Sequence, residues 1–284
     1  GVDNTGSMNG NANIKRKFAL EPNGAQQNWR LVIDLTTQGI SSKPKPAANS
    51  TANYQPNPNR KKIVVLDPGH GGKDPGAIGR SFKTYEKNIT LSMGKELKKQ
   101  LEANGFKVYM TRATDIFIPL RKRVAIARSY HEDLFISLHA DSTVNRKAQG
   151  LSIYTLSETA SDKEAAALAE RENKADIILG INLEEYQESI GNILIDLAKR
   201  DTMDKSAQYA ELFVKEVRHT AQIKSTPHRF AGFVVLKSPN IPSVLIELGY
   251  LSNKKEEKML QKMSGDSEKQ AELAKDYTKK VLSS

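Results

Sequence analysis

From Lys61 onward, short apolar runs alternate with longer stretches of helical periodicity, and this alternation limits the folds open to the chain. Ile63–Leu66 is a β-branched run stopped by Pro68 and Gly69, as expected of a buried strand. Between Thr84 and Asn104, apolar residues recur every four positions, which is typical of an amphipathic helix. The pattern predicts an α/β fold with a mostly parallel or mixed twisted sheet flanked by helices.

The remaining predicted elements continue this alternation. Between Ser161 and Ile223 helical periodicity dominates, which is long for a connection between strands and predicts a helical insertion before the last strands. Strands are predicted at residues 106–110, 134–137, 150–154, 233–236 and 243–247, and helices at 119–130 and from about residue 254.

Residues 1–59 have a different character. Residues 18–20 and 29–35 have the apolar content of short strands, and the second run alternates apolar and polar positions. Residues 37–59 are rich in Pro, Ser, Asn and Ala without apolar periodicity, which predicts a flexible linker. The interpretation is a C-terminal remnant of a preceding β-rich domain at residues 1–36 and the main domain at residues 60–284.

Composition excludes several classes of function. The chain has no cysteine, which excludes disulfides, thiolate zinc sites and cysteine nucleophiles, and no Gly-x-Ser-x-Gly motif. A net charge of +10 is compatible with a polyanionic partner, but the basic residues interleave with glutamates, which favours a solvated surface over a nucleic-acid interface. No apolar run reaches the roughly 18 residues of a membrane span, and the N-terminus lacks the pattern of a secretory signal.

Two histidines and two glutamates are candidates for a metal centre. His70, His139 and Glu247 each follow or end an apolar strand, and Glu86 falls in the first turn of a predicted helix. Because sites in open α/β sheets gather at the carboxyl ends of strands, we expect the four side chains to converge. A catalytic zinc ion holds three protein groups and leaves one position for water, and a further carboxylate can move the proton of that water.

Each of these residues also has an ordinary structural interpretation. A histidine in a glycine-rich turn is more often a surface or capping residue, and Glu86 can be a favourable acid at the start of a helix. His139 and Glu247 end buried strands, where an unpaired polar group is costly. Asp67 and Asp141 are candidates for orienting the imidazoles, or else they cap turns.

Four motifs carry a resemblance to a known family. Residues 64–72 (VVLDPGHGG), 86–88 (EKN), 137–141 (SLHAD) and 241–253 (IPSVLIELGYLSN) resemble motifs of the zinc-dependent N-acetylmuramoyl-L-alanine amidases. The resemblance implies that His70, Glu86 and His139 bind one Zn²⁺ ion and that Glu247 is the catalytic acid/base. It also implies a peptidoglycan substrate, cleaved at the amide between the lactyl group of N-acetylmuramic acid and L-alanine.

The helical insertion carries a second resemblance. The segment of about residues 173–203 is similar to the extra helical region of Gram-negative cell-division amidases. In those enzymes this region blocks the active site until an activator protein displaces it. By this comparison, Glu172 is the candidate inhibitory metal ligand. Residues 29–35 resemble the end of the envelope-targeting domain that precedes these enzymes, and the implied location is the periplasm.

Two rival functions stay open from the sequence. A zinc peptidase with the same ligands would act on another substrate, and only the motif match favours the muramoyl–alanine bond. A non-catalytic wall-binding or activator protein would not need the complete set of two histidines and two glutamates. Metal analysis and an assay on peptidoglycan separate these alternatives.

Overall fold

The chain, described by a computed structural model, divides into two compact units, Gly1–Pro58 and Asn59–Ser284. The structure describes residues 12–20, 30–37, 60–175, 193–219, 221–238 and 240–265. In the first unit, β1 (Ala12–Leu20) pairs antiparallel with β2 (Arg30–Thr37). These strands overlap the runs predicted at residues 18–20 and 29–35. That this hairpin ends a larger β-rich domain stays a prediction.

The second unit contains a six-stranded mixed sheet. Its order is β4-β3-β5-β8-β6-β7. Strands β4, β3, β5 and β8 are mutually parallel, whereas β6 runs antiparallel to β8 and parallel to β7. The strands are β3 (Ile63–Pro68), β4 (Lys107–Met110), β5 (Leu134–Asp141), β6 (Leu151–Leu156), β7 (Ile223–Ala231) and β8 (Ser243–Tyr250).

Helices cover both faces of this sheet, and their order along the chain is α1 (Glu86–Ala103), α2 (Leu120–Ser129), α3 (Lys163–Asn173), α4 (Ile193–Val217) and α5 (Lys254–Gly265). The apolar residues of α1, α4 and α5 form one core with Leu66, Leu138 and Ile246. Those of α2 and α3 form a second core with Val65 and Leu245. Alternate residues of each strand therefore face opposite layers, which explains the continuous apolar runs. The predicted α/β fold is confirmed.

One predicted element is wrong, and one strand was not predicted. Residues 233–236 were expected to form a strand, but Val234–Leu236 is a 3₁₀ turn buried in the second core. A short buried apolar run does not by itself distinguish a strand from another buried segment. The edge strand β7 lies at Ile223–Ala231 instead, where exposed residues and Pro227 weaken any strand signal.

The helical insertion is described only at its two ends, α3 and α4. Residues 176–192, which carry most of the predicted regulatory segment 173–203, lie outside the described residues. Among the helices that the structure describes, none combines the length and the apolar character needed to cross a bilayer.

Candidate metal centre

The four candidate residues meet at one rim of the sheet. His139 lies in β5 and Glu247 in β8, and the two residues are direct neighbours in the parallel register of these strands. His70 follows the end of β3, and Glu86 is the first residue of α1. Because β3, β5 and β8 are parallel, their carboxyl ends lie on the same side, as the sequence predicted.

The ligand atoms of His70, Glu86 and His139 lie within 4.8 Å of one another, and all three side chains are buried. Glu86 Oε2 lies 3.1 Å from His70 Nε2, and Glu86 Oε1 lies 3.0 Å from His139 Nδ1. The carboxylate of Glu86 also accepts hydrogen bonds from the backbone N–H groups of Ala77, at 2.7 Å, and Ala140, at 2.9 Å. These bonds fix the acid between the two imidazoles.

The imidazole of His70 is oriented by an acid that the sequence analysis missed. Nδ1 of His70 lies 2.8 Å from Asp74 Oδ2, and because an ionised carboxylate only accepts, Nδ1 carries the proton. In the neutral form of this imidazole, Nε2 presents a lone pair to the site, and this buried atom has no hydrogen-bond partner among the described residues. A carboxylate bonded to one ring nitrogen of a histidine, with the other nitrogen directed at acidic ligands, is the usual arrangement around a bound metal.

The electrostatics of the cluster favour a cation. Burial alone would lower the pKa of His139, but the carboxylates of Glu172 and Glu86 raise it to about 10. Burial opposes the ionisation of Glu86, but the two imidazoles favour it and lower the pKa of Glu86 to about 2. The cluster therefore attracts positive charge, either as protons on the imidazoles or as a divalent cation between the ligands.

Two buried arginines hold the turn that carries His70. Arg112 donates to the carbonyl oxygens of Pro68, at 2.9 Å, and Gly69, at 2.8 Å. Arg123 donates to the carbonyl oxygens of Pro68 and His70, both at 2.8 Å. His70 has a φ of 62°, which is uncommon for a residue with a side chain, and these bonds offset the strain. Neither arginine is marked by a local sequence pattern, because the acceptors are distant in the chain.

Two glycines allow the close packing of this turn. A Cβ on Gly69 would lie 2.5 Å from Cε1 of His139, and a Cβ on Gly76 would lie 2.6 Å from both Glu86 Oε2 and His70 Cδ2. Both distances are far below van der Waals contact. Glycine at these positions is therefore required by the approach of the ligands, independently of backbone freedom.

Asp67 and Asp141 do not orient the imidazoles as predicted. Asp67 accepts hydrogen bonds from Thr111 Oγ1 at 2.5 Å, Ser137 Oγ at 2.8 Å and Arg123 Nη1 at 2.9 Å. Through these three bonds the carboxylate neutralises Arg123 and joins β3 to β5. It is therefore bonded to neither imidazole. Asp141 accepts from the backbone N–H of Ser142 at 2.6 Å. The prediction assigned the wrong acids, and Asp74 performs this part for His70.

Glu247 lies fully buried beside the cluster. Neither oxygen of its carboxylate has a hydrogen-bond partner among the described residues. Burial raises the pKa of Glu247 well above its ordinary value, and the nearby Asp141 raises it further. Burial likewise raises the pKa of Asp141 to about 6. A buried carboxyl group without a structural partner is available to exchange a proton with a ligand.

Glu172, near the end of α3, extends into the same cluster. Its Oε2 lies 3.3 Å from His70 Nε2 and 3.2 Å from His139 Nδ1. Burial opposes ionisation, but the two imidazoles hold the pKa of Glu172 well below its ordinary value. A second carboxylate therefore faces both imidazoles together with Glu86.

The residues on either side of Glu172 attach the end of α3 to the body of the domain. Arg171 forms an ion pair with Asp141. Asn173 donates from Nδ2 to the carbonyl oxygen of Gly232 at 2.9 Å and accepts at Oδ1 from the backbone N–H of Val234 at 2.8 Å. These contacts determine where the Glu172 carboxylate lies.

Known proteins resemble this chain in sequence and in fold. A family model described as N-acetylmuramoyl-L-alanine amidase matches residues 64–282. The amidase AmiA of Escherichia coli (strain K12) is 40% identical over 233 residues, which cover 80% of this chain and 80% of the relative. The amidase AmiC of Neisseria meningitidis serogroup B is 35% identical over 265 residues, which cover 86% of this chain and 63% of the relative.

Solved structures give the same result. The catalytic domain of the amidase CwlV from Bacillus (Paenibacillus) polymyxa superposes with a TM-score of 0.51 at 27% identity, covering 78% of this chain and 97% of that structure. An N-acetylmuramoyl-L-alanine amidase of Nostoc punctiforme superposes with a TM-score of 0.53 at 25% identity, covering 79% and 97%. The family resemblance predicted from the motifs is confirmed.

Replacing Arg123 with Met is expected to lower the free energy of unfolding by about 3–5 kcal/mol, because the buried carboxylate of Asp67 loses its charged partner. Urea denaturation followed by far-UV circular dichroism measures the change. Arg128→Met is the matched control, since Arg128 is an exposed arginine on the same helix. Equal stability of the two variants would contradict the structural importance of the Arg123–Asp67 pair.

Proposed function

The chain belongs to the N-acetylmuramoyl-L-alanine amidases, and on that premise we propose that it is a zinc-dependent, self-inhibited peptidoglycan hydrolase. The bond cleaved is the amide between the lactyl group of N-acetylmuramic acid and the L-alanine of the stem peptide. The observation that carries this proposal is the convergence of His70, Glu86 and His139 within 4.8 Å of one another, beside the unpartnered carboxyl group of Glu247.

The residues present fit a zinc ion. Two imidazoles and one carboxylate are a common ligand set of catalytic zinc, and these three are buried with a lone pair of His70 left without a partner. When bound, zinc acts as a Lewis acid that polarises a carbonyl group and increases the acidity of water. Asp74 holds His70 in the tautomer that such binding needs.

Glu247 is the group that moves the proton. During hydrolysis, the oxygen of water forms a bond to the carbonyl carbon of the lactyl group, and Glu247 accepts the proton that the water loses. The bond between this carbon and the alanine nitrogen then breaks, and Glu247 delivers the proton to the departing amine. Its position next to His139 in the register of β5 and β8, and the lack of any hydrogen-bond partner for its carboxyl oxygens among the described residues, support this assignment. Within the chain, cysteine nucleophiles are excluded by composition.

Glu172 inhibits the resting enzyme as a further ligand, in the position that three protein ligands of zinc would leave open for water. Its Oε2 lies 3.2 Å from His139 Nδ1 and 3.3 Å from His70 Nε2, where a carboxylate excludes both water and the substrate carbonyl. The contacts of Arg171 with Asp141 and of Asn173 with the Gly232–Val234 segment support this state, because they hold the end of α3 in place. Activation then requires that α3 moves.

The proposal includes a biological setting. The resemblance of the insertion to that of Gram-negative cell-division amidases supports a location in the periplasm, a part in daughter-cell separation, and an activator protein that displaces the insertion. The similarity to the N-acetylmuramoyl-L-alanine amidase AmiA of Escherichia coli supports action on peptidoglycan. A zinc peptidase acting on another substrate would share the ligands but not the family match over residues 64–282.

His139→Ala is expected to reduce bound zinc from near-stoichiometric to less than half, because one of three protein ligands is lost. Elemental analysis after dialysis against dilute zinc gives the readout. His131→Ala serves as the control, because His131 is exposed. If both variants retain equal zinc, His139 is not a ligand.

Glu247→Gln is expected to retain zinc but lose hydrolysis of peptidoglycan by about 10²–10⁴-fold, because an amide cannot accept the proton of water. Release of dye from labelled peptidoglycan measures the rate, and elemental analysis measures the metal. Full activity of a zinc-loaded Glu247→Gln protein removes Glu247 from the mechanism.

Glu172→Ala is expected to raise hydrolysis of purified peptidoglycan several-fold without any activator, because the site loses the competing carboxylate. Glu170→Ala is the matched control on the same helix, since Glu170 pairs only with Lys174 on the surface. Initial rates of the two variants and of the unmodified chain are compared at equal zinc content. A rate for Glu172→Ala at or below that of the control would argue against inhibition by this residue.

A further inference from the structure

A basic cleft of about 620 Å³ opens at the rim of the sheet that carries the metal centre. Its walls come from the loop between His70 and Glu86, from the loop that follows β5, and from the segment between β8 and α5. Five exposed cationic side chains line it, and none of the cleft residues is acidic. They are Arg80, Arg146, Lys147, Lys254 and Lys255.

Two of these cations occupy a position that the helix itself disfavours. Lys254 and Lys255 are the first two residues of α5, where the backbone dipole presents its positive end. Acids are the residues normally favoured there. Two lysines added to this end of a helix concentrate positive charge on one wall of the cleft, which an anionic ligand would offset.

The nearest acids on α5 do not neutralise these lysines. Glu256 accepts hydrogen bonds from the backbone N–H groups of Gly150, at 2.7 Å, and Tyr250, at 2.8 Å. Glu257 accepts from the backbone N–H groups of Ser81, at 2.9 Å, and Phe82, at 2.8 Å. Both carboxylates are buried and used for the backbone. No ion pair joins any of the five cations to another residue in the described part of the chain.

The walls of the cleft are bonded to one another. Glu257 connects α5 to the Ser81 wall. Ser252 Oγ accepts a hydrogen bond from the backbone N–H of Thr143 at 3.1 Å, and Asn253 Nδ2 donates to the carbonyl oxygen of Ala148 at 3.1 Å. Asn253 also accepts at Oδ1 from the backbone N–H of Lys255 at 3.0 Å, which caps the helix. The cleft is therefore preformed rather than a gap between independent loops.

We propose that this cleft binds the free carboxylates of the stem peptide and so orients the peptide side of the scissile amide. This inference rests on the proposed function. The carboxyl group of muramic acid is consumed in that amide, so the free carboxylates of a peptidoglycan strand lie on its peptide. The cleft volume falls within the range of about 300–1,000 Å³ typical of ligand pockets, which suits a short acidic peptide.

Binding to purified peptidoglycan sacculi tests the proposal with the full chain. Three substitutions, Arg146→Gln, Lys254→Gln and Lys255→Gln, are combined in one cleft variant. Lys95→Gln, Lys99→Gln and Lys122→Gln remove the same charge from exposed positions on α1 and α2 and form the control variant. All proteins carry Glu247→Gln to prevent digestion, and circular dichroism verifies that they are folded.

Co-sedimentation is expected to give a several-fold higher Kd for the cleft variant and a weaker dependence of Kd on salt. The control variant should bind as the parent does. Conversion of the carboxylates of the sacculi to amides should weaken binding of the parent to the level of the cleft variant on native sacculi. The cleft variant should bind native and amidated sacculi equally.

Equal affinity of the cleft and control variants for native sacculi would overturn the proposal and leave an acidic protein surface as the occupant of the cleft. An equal effect of amidation on both variants would also overturn it. The experiment measures binding without turnover, so its failure is distinct from failure of the proposed function. A chain that hydrolyses peptidoglycan but ignores the carboxylates contradicts this inference alone.

Discussion

Burial of two imidazoles against carboxylates is the interaction on which the site depends. Glu86 lies between His70 and His139 and is held there by backbone N–H groups in the loop that precedes α1 and in β5. An ionised acid in this position is stable only when positive charge lies beside it. Carboxylates raise the pKa of His139 to about 10, and the imidazoles lower the pKa of Glu86 to about 2, because the opposite charges stabilise each other.

The fold meets this demand by bringing three strand ends to one rim. Parallel pairing of β3, β5 and β8 places His139 and Glu247 side by side in register and leaves the turn after β3 to present His70. That turn is strained at His70, with a φ of 62°, and two arginines buried beneath it bond its carbonyl oxygens. The arginines therefore support the site through the backbone of this turn.

The sequence predicted the groups whose positions follow from local pattern. His70, His139 and Glu247 stand at the ends of apolar runs, and such ends share a rim in any parallel sheet. The sequence did not predict the hydrogen-bond partners of polar side chains where those partners lie in distant segments of the chain. Asp67 was assigned to an imidazole, but its carboxylate bonds Arg123, which is 56 residues away.

The same distinction explains the elements that were wrong. The edge strand β7 has few buried positions and, among the described strands, pairs with β6 alone, so no alternating apolar pattern marks it. Asp74 was missed for a different reason. It lies in the loop after His70, where no periodicity applies, and its role depends on the path of the turn rather than on spacing. The sequence pattern therefore predicts helices and strands, whereas the partners of a polar side chain depend on tertiary packing.

The segment between β8 and α5 links the catalytic rim to the basic cleft. Glu247 lies in β8, and ten residues further Glu257 bonds the loop that precedes Glu86. Movement of α5 would therefore shift both a wall of the cleft and the loop that leads to a metal-centre carboxylate. Because Glu256 binds the backbone of Tyr250 and Gly150, the same helix also fixes the start of β6. An anion bound by Lys254 and Lys255 would lower the electrostatic cost of this helix start, so a peptide in the cleft would stabilise the framework that holds Glu86.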